Sequence, residues 1–294
     1  MSDIDADTRR WVREVVGRDV VRAERLRGAM SSRMQRCWLD DGNSVVVRQI
    51  DDADWLDREP GLIEREARAL RIVAAAATIT APTFLAADPI RGRLLMSWLP
   101  GTARHEPDQL RRVVAAIADT AVAIATVPIG SEHGLPAWKP WAPAEPEPPS
   151  WGDRGLWTDA IDAFRSKPAP SVEKQVLVHR DLHPLNLLFG GTRVVGVVDW
   201  VNACAGHPHA ELGHCRWNLA VLCDLRAADA FLRRYAATTT FGPYDAWWDV
   251  CAVMGFLPGP VRTDGWFAVG RTDLDAASVV DTTERFLRLA LARL

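Results

Sequence analysis

The chain has 294 residues, a formal net charge of −3 and arginines interspersed with acids, so it can fill one large core or two lobes and carries no basic stripe for nucleic acid. No apolar run reaches membrane-spanning length, and the start Met1-Ser-Asp-Ile-Asp-Ala-Asp7 is acidic where a signal peptide is basic; a cytoplasmic protein with no membrane partner is expected. The five cysteines, odd in number and without a Cys-x-x-Cys pair, predict reduced, mostly buried thiols.

In chain order, residues 26–33 (Leu-Arg-Gly-Ala-Met-Ser-Ser-Arg) offer Gly28, Ser31 and Ser32. A glycine lets backbone amides approach an anion and the hydroxyls can donate to it; an ordinary turn is the alternative. Residues 33–39 and 44–50 read as strands joined by the turn cluster Asp40-Asp-Gly-Asn43, with Arg48 late in the second. Residues 61–77 place Ile63, Ala67, Leu70 and Ala74 at helical spacing, with acids on the flanks. Residues 107–127 repeat the pattern at Leu110, Val113, Val114, Ile117, Ala121 and Ile124, a long core helix. Residues 135–157 are rich in proline and tryptophan, which excludes a helix or central strand and predicts an extended surface connection. Trp138, Trp141 and Trp151 are costly to expose, so a substrate-side lid is the alternative there.

The chemistry concentrates in residues 176–200. The apolar Val176-Leu-Val178 leads into His179-Arg-Asp-Leu-His-Pro-Leu-Asn186, and a second apolar run, Val194-Val-Gly-Val-Val198, ends in Asp199. The spacing Asp181-x-x-x-x-Asn186 is that of a kinase catalytic loop: an Asp to accept a hydroxyl proton and an Asn to hold magnesium, with Asp199 as second metal ligand. Mg²⁺ favours hard oxygen ligands and keeps several waters, so one carboxylate and one carboxamide suffice. The alternative, that Asp181 and Asn186 merely cap turns, does not explain the flanking strands and Asp199. Further on, His207, His209, His214 and Cys215 lack the second spaced pair of a zinc site, and residues 208–225, 225–235, 244–256 and 273–294 read as helices.

His179-Arg-Asp-Leu-His-Pro-Leu-Asn186 with Val197-Val-Asp-Trp200 resembles the aminoglycoside phosphotransferase family of small-molecule kinases. The resemblance implies an α+β, bilobal protein-kinase-like fold: a β-rich nucleotide-binding lobe over residues 1–97, a hinge at 98–101 and a mostly helical catalytic and acceptor-binding lobe over 102–294. It implies ATP and Mg²⁺ as cofactors and a hydroxylated small molecule (aminoglycoside, amino-sugar or similar) as partner of a monomer or homodimer. Protein kinases separate the metal-binding Asp from the next helices by a long regulatory loop, for which there is no room here.

By the same resemblance, residues 26–33 take the phosphate-loop place, and Arg48 stands where the family has a lysine that reaches the phosphates. An arginine fork is wider than an ammonium, so the exchange is not neutral; an exposed strand arginine is the alternative. Glu66 is the expected partner of Arg48, with Glu64 second and a local pair with Arg68 as the alternative. Met96, Ser97, Trp98 and Leu99 would line the adenine pocket, the backbone of residues 97–99 reading the base edge. Glu211 would brace the catalytic loop through backbone amides, His179 would pack beneath it, and His183 would support the loop or touch phosphate. The C-terminal helices would supply the acceptor pocket, with Trp200, Asp245, Trp247, Trp248, Asp249 and Glu284 offering carboxylates and rings to a polyamine or amino-sugar. The family's loop has glycine where this chain has Arg180. A nucleotide-binding pseudokinase, a scaffold or sensor, is the competing reading, and the missing strand lysine is its support.

Overall fold

The structure, a computed structural model, describes residues 4–26, 32–259 and 262–294. Helix α1 (Ala6–Val16) is followed by β1 (Val20–Arg25), β2 (Arg33–Leu39), β3 (Ser44–Gln49), α2 (Ala53–Arg58), α3 (Leu62–Ala76), β4 (Phe84–Asp88) and β5 (Arg93–Ser97). Then come α4 (Pro107–Ala125), α5 (Arg154–Ser166), β6 (Val176–Val178), β7 (Leu187–Gly190), β8 (Arg193–Val197) and β9 (Cys204–Gly206). The chain closes with α6 (Leu212–Leu222), α7 (Leu225–Thr238), α8 (Trp247–Met254), α9 (Asp264–Ala268) and α10 (Ala276–Leu291). The result is a β-sheet N-terminal region and a helical C-terminal part.

The five-stranded sheet runs β1-β2-β3-β5-β4 with every neighbour antiparallel. Strand residues alternate between faces, and here both faces are covered. Val46, Leu94 and Met96 join Ile63, Ala67 and Leu70 of α3 in the main core, while Cys37, Leu39, Val45, Val47 and Leu95 pack with Ile4 and Val12 on the α1 side. This double burial explains the unbroken Val45-Val46-Val47 run in β3. The α3 stripe ends on buried Val73 rather than the expected Ala74, which follows Leu70 on the same side but is left in water at the last turn.

In the helical part every expected α4 core residue is buried. Helix α6 begins at Leu212, later than position 208, because a turn closed by Ala210 N–H on His207 O precedes it. Buried on nearly all sides, α6 crosses α8 so closely that a Cβ on Gly213 would lie 2.1 Å from the Trp248 carbonyl oxygen. All five cysteines are free, four of them buried. No helix among the described residues is long and apolar enough to cross a membrane.

Candidate active site

Two short antiparallel pairs shape the site. β6 pairs with β9, Val178 facing Cys204, which brings the two ends of the segment together. β7 pairs with β8, Leu187 facing Val197, so Val198 N–H donates to Asn186 O (3.0 Å) and Asp199 follows beside Asn186. The Asn186 amide nitrogen donates to the Asp181 carbonyl (2.9 Å), and its oxygen accepts from no donor among the described residues. Asp199 takes a left-handed conformation (φ 68°), which Asp tolerates better than most residues.

The loop is braced from below. Glu211 accepts the His179 and Arg180 backbone N–H groups (2.9 and 3.2 Å), as the sequence anticipated; burial pushes its carboxyl up to about 8, against the pull of those donors. His179 is buried against Trp200 (ring centroids 4.6 Å), and burial keeps its imidazole neutral by lowering its pKa. Its partner 2.9 Å away is the Val198 carbonyl, so Nε2 carries the proton.

Asp181 faces two imidazoles, His214 Nε2 at 3.0 Å and His183 Nε2 at 3.7 Å. Burial raises its pKa, but the His214 hydrogen bond and the neighbouring imidazoles outweigh this and hold it well below the usual carboxylate range. Burial also lowers His183 to about 4. The pairing of His214 with Asp181 was not legible in the sequence, where His214 was one of a run of histidines. His207 and His209 lie ring to ring in tilted planes (centroids 4.8 Å), and Cys215 is buried in the core.

From the sheet side, Arg48 forks between two acids: Nη1 donates to Glu66 (2.7 Å) and Nη2 to Asp199. Glu66, not Glu64, is thus the partner. Burial disfavours the guanidinium charge, yet Asp199 and Glu66 together hold its pKa above the usual arginine value. Ser32 is buried with its hydroxyl unpartnered among the described residues; Gly28 and Ser31 lie outside them. Met96 packs in the core. The N–H groups of Ser97 and Trp98 are committed to Thr83 O (2.9 Å) and Ser44 O (3.3 Å), which removes two donors from the expected base-reading stretch. Leu99 packs against Gly196, and the Arg36 guanidinium covers the Trp98 ring (4.1 Å).

The expected acidic pocket does not assemble. Asp249 is buried against Arg216 Nε (2.9 Å) and Tyr244 OH (2.6 Å). Asp245 pairs with Lys167 (2.8 Å), and Glu284 accepts from Asp153 N–H (2.6 Å) and Trp157 Nε1 (3.3 Å). Trp200 lies under the loop, donating to Val197 O (2.9 Å). Trp248 does line a small cleft, walled by Trp138, Lys139, Trp141, Arg180 and the His214 that pairs with Asp181. Of the proline- and tryptophan-rich stretch, residues 138–141 thus form a cleft wall, while Trp151 packs against Trp157 (5.2 Å) and donates to Pro258 O (3.2 Å), and the stretch runs into α5 at Arg154.

A sheet with an ion-paired cation over a helix, facing an Asp-Asn loop and a strand-end Asp, defines the protein-kinase-like class of phosphotransferase fold. The chain belongs to the phosphotransferase enzyme family (APH), whose model matches residues 22–263, and is a small-molecule phosphotransferase. No curated protein sequence matches it significantly. Among solved structures it is similar in fold to a thermostable mutant of aminoglycoside phosphotransferase APH(4)-Ia in ternary complex with ADP and hygromycin B, at 20% identity over 96% of this chain and 98% of that one, TM-score 0.65. It is also similar to the apoenzyme of macrolide 2'-phosphotransferase MphH from Brachybacterium faecium, at 17% identity over 94% and 96% of the two chains, TM-score 0.59. Likenesses at these identities carry the fold.

Proposed function

We propose that the protein transfers the γ-phosphoryl group of ATP to a hydroxyl of a small molecule, with residues 1–97 and 102–294 as lobes hinged at 98–101. The carrying observation is that strand register gathers Asp181, Asn186 and Asp199 into one loop cluster, with Arg48 reaching Asp199 from the sheet. The ADP and hygromycin B complex of the structural neighbour supports nucleotide use, and an aminoglycoside or amino-sugar is the acceptor class its name suggests.

The donor set fits magnesium in kind: the Asn186 side-chain oxygen and the Asp199 carboxylate are hard oxygens, and Asp199 is shared with Arg48. Bound there, Mg²⁺ would neutralise the polyphosphate charge. Arg48, fixed by Glu66, would grip a phosphate oxygen, with Gly28, Ser31 and Ser32 as further donors. Asp181 orients the acceptor hydroxyl and takes its proton as the oxygen bonds to the γ-phosphorus and the bond to the β–γ bridging oxygen breaks, giving ADP and a phosphate ester. A carboxylate of low basicity suits a loose transition state, in which the proton leaves late.

The test is ADP formation across an acceptor panel with Asp181→Asn as control: acceptor-dependent turnover in the parent and its near loss in the variant are expected. The direct Arg48–Asp199 contact favours a second reading, the pseudokinase, because the guanidinium competes with a metal for Asp199. That reading prevails if ATP raises the melting temperature while no acceptor is phosphorylated and Asp181→Asn behaves like the parent.

A further inference from the structure

The His214 ring that meets Asp181 at 3.0 Å has Trp217 of its own helix on one side (centroids 6.3 Å) and His183 of the catalytic loop on another (5.9 Å). Among the described residues its third ring contact comes from neither element. It is Trp141 of the proline- and tryptophan-rich stretch, edge to face at 5.4 Å and 76°.

Trp141 is 42% exposed, so burial alone does not fix its ring. Its neighbours do. Trp138 N–H donates to Ala205 O (2.7 Å) and Ala205 N–H to Pro136 O (2.9 Å), which pins the stretch to β9 just before the ring. Gly255, at the end of α8, closes in from behind: a Cβ there would stand 3.2 Å from the Trp141 Cβ. Over the ring face lies the Arg180 guanidinium (4.7 Å), which also donates Nη2 to the Lys139 carbonyl (3.0 Å).

Arg180 is held at a cost. Its φ of 72° lies in the left-handed region, where a glycine is unstrained and a long side chain is disfavoured. Its backbone N–H is taken by Glu211 (3.2 Å), a contact that any residue would make. What the arginine adds is its side chain, and the contacts of that side chain go to residues 139 and 141. Because Arg180 precedes Asp181 directly, the contacts close a ring: from the loop to Trp141, from Trp141 to His214, and from His214 back to the loop.

We propose that Trp141 is a positioning residue for Asp181: clamped by Arg180, its ring keeps the His214 imidazole in the orientation that meets the carboxylate, and so keeps Asp181 aimed at the acceptor hydroxyl. What Asp181 does rests on the phosphotransferase reading above; the clamp does not.

Proton NMR of the full chain, without nucleotide or acceptor, tests the clamp. A hydrogen-bonded imidazole N–H exchanges slowly and resonates downfield of the amides, and the signal lost in His214→Gln belongs to His214. It should vanish in Trp141→Ala, where the imidazole is free to turn. It should survive in Trp141→Phe, which keeps an aromatic edge for the imidazole and a face for the guanidinium, and weaken in Arg180→Gly, which suits the backbone but releases Trp141. The buried His179 N–H on the Val198 carbonyl should stay in every variant, as the mark of an intact loop. An unchanged His214 signal in Trp141→Ala, no His214-dependent signal in the parent, or joint loss of the His214 and His179 signals, as a folding role alone would give, overturns the proposal.

ADP formation across the acceptor panel separates this inference from the reading beneath it. Trp141→Ala should lower kcat roughly tenfold, on the scale of misplacing a reacting group, with KM for ATP unchanged. Combined with His214→Ala it should be no slower than His214→Ala alone, since one residue acts through the other. Additive losses overturn the positioning role and leave the transferase. No ADP formed from any acceptor, with the NMR signals as expected, sinks the transferase and with it the catalytic role of the clamp.

Discussion

His214 Nε2 stands 3.0 Å from Asp181 Oδ1, tying α6 to the loop that follows β6. With one carboxylate oxygen fixed, the other is free to face an acceptor hydroxyl. Asn218 Nδ2 lies 3.1 Å from both His214 Nε2 and the His214 carbonyl; with the Nε2 proton given to Asp181, it donates to the carbonyl and packs against the ring nitrogen. His214→Ala should therefore lower kcat by roughly tenfold to a hundredfold, the scale of misplacing a reacting group. KM for ATP should not change, because nothing on the nucleotide side moves. His214→Gln, which can still donate to the carboxylate, should recover part of the loss. Steady-state kinetics on the three proteins decide it; an unaltered kcat in His214→Ala would show that Asp181 holds its orientation without the imidazole.

Arg48, Glu66 and Asp199 form one unit, and its members should not behave additively. Glu66→Ala leaves a buried guanidinium with half its neutralisation and should cost about 3–5 kcal/mol, the scale of breaking a buried pair. Removing charge on both sides with Arg48→Met and Glu66→Leu together should cost less than Glu66→Ala alone, since no buried charge is stranded. Urea unfolding of the single and double variants reads this directly. A double variant as unstable as the sum of the singles would mean that the pair contributes through packing alone.

What could be read beforehand follows contact range. Asp181, Asn186 and Asp199 lie within one short segment, and two strand pairings internal to residues 176–206 fix their arrangement, so sequence spacing carried the geometry. Arg48 and Glu66 were expected through the family resemblance, which gives the third strand a phosphate-reaching cation and the following helix its glutamate partner; the structure pairs them at 2.7 Å. The acceptor side had no such local code. Whether Asp249 faced a ligand or Arg216 depends on how α6 and α8 cross, and neither strand nor helix periodicity reports a crossing. His214 met Asp181 for the same reason, from 33 residues away (214 − 181). Arg180 was visible as a departure from the family's glycine, but its φ and its place on Trp141 were not. Helices α1, α2, α5 and α9 were not anticipated. Of these, α2 and α9 span only 6 and 5 residues, too short for a periodic signal.

Gly213 fixes that crossing. In an exposed helix, Gly→Ala gains about 1 kcal/mol from propensity. Here the new Cβ would stand 2.1 Å from the Trp248 carbonyl oxygen and 2.6 Å from its carbon, and backbone cannot swing aside as a side chain can. Helices α6 and α8 would have to part, at a cost of about 3 kcal/mol or more. Gly213→Ala should thus melt well below the parent and weaken any ligand that leans on Trp248. A melting temperature at or above the parent's would mean that the helices slide apart freely.

The pH dependence of stability follows from buried histidines opposed by buried carboxyls, with His183, His209 and Glu211 the largest shifts among them. Burial lowers His183 and His209 to about 4 from an ordinary 6.5, so the unfolded chain takes up these protons first; their stabilisation is complete above pH 6.5 and is lost as pH falls toward 4. Glu211 is raised from 4.5 to about 8, and the folded chain holds that proton longer; its stabilisation is complete below pH 4.5 and is lost as pH rises through 8. Between pH 4.5 and 6.5 the lowered histidines His183 and His209, joined by His179 and His207, outnumber the raised carboxyls of Glu211, Glu66 and Asp249, so stability climbs as pH rises. Above 6.5 the histidines no longer titrate and the raised carboxyl of Glu211 makes stability decline, so stability peaks where the imidazole limb gives way to the carboxyl limb. Urea midpoints taken across this range should show that peak. Glu211→Gln cannot titrate yet still offers an oxygen to the His179 and Arg180 amides, so it should keep the acid limb and lose the decline from pH 6.5 to 8. Parallel curves for parent and variant on the alkaline side would show that Glu211 is already ionised in the folded protein, held so by its two amide donors.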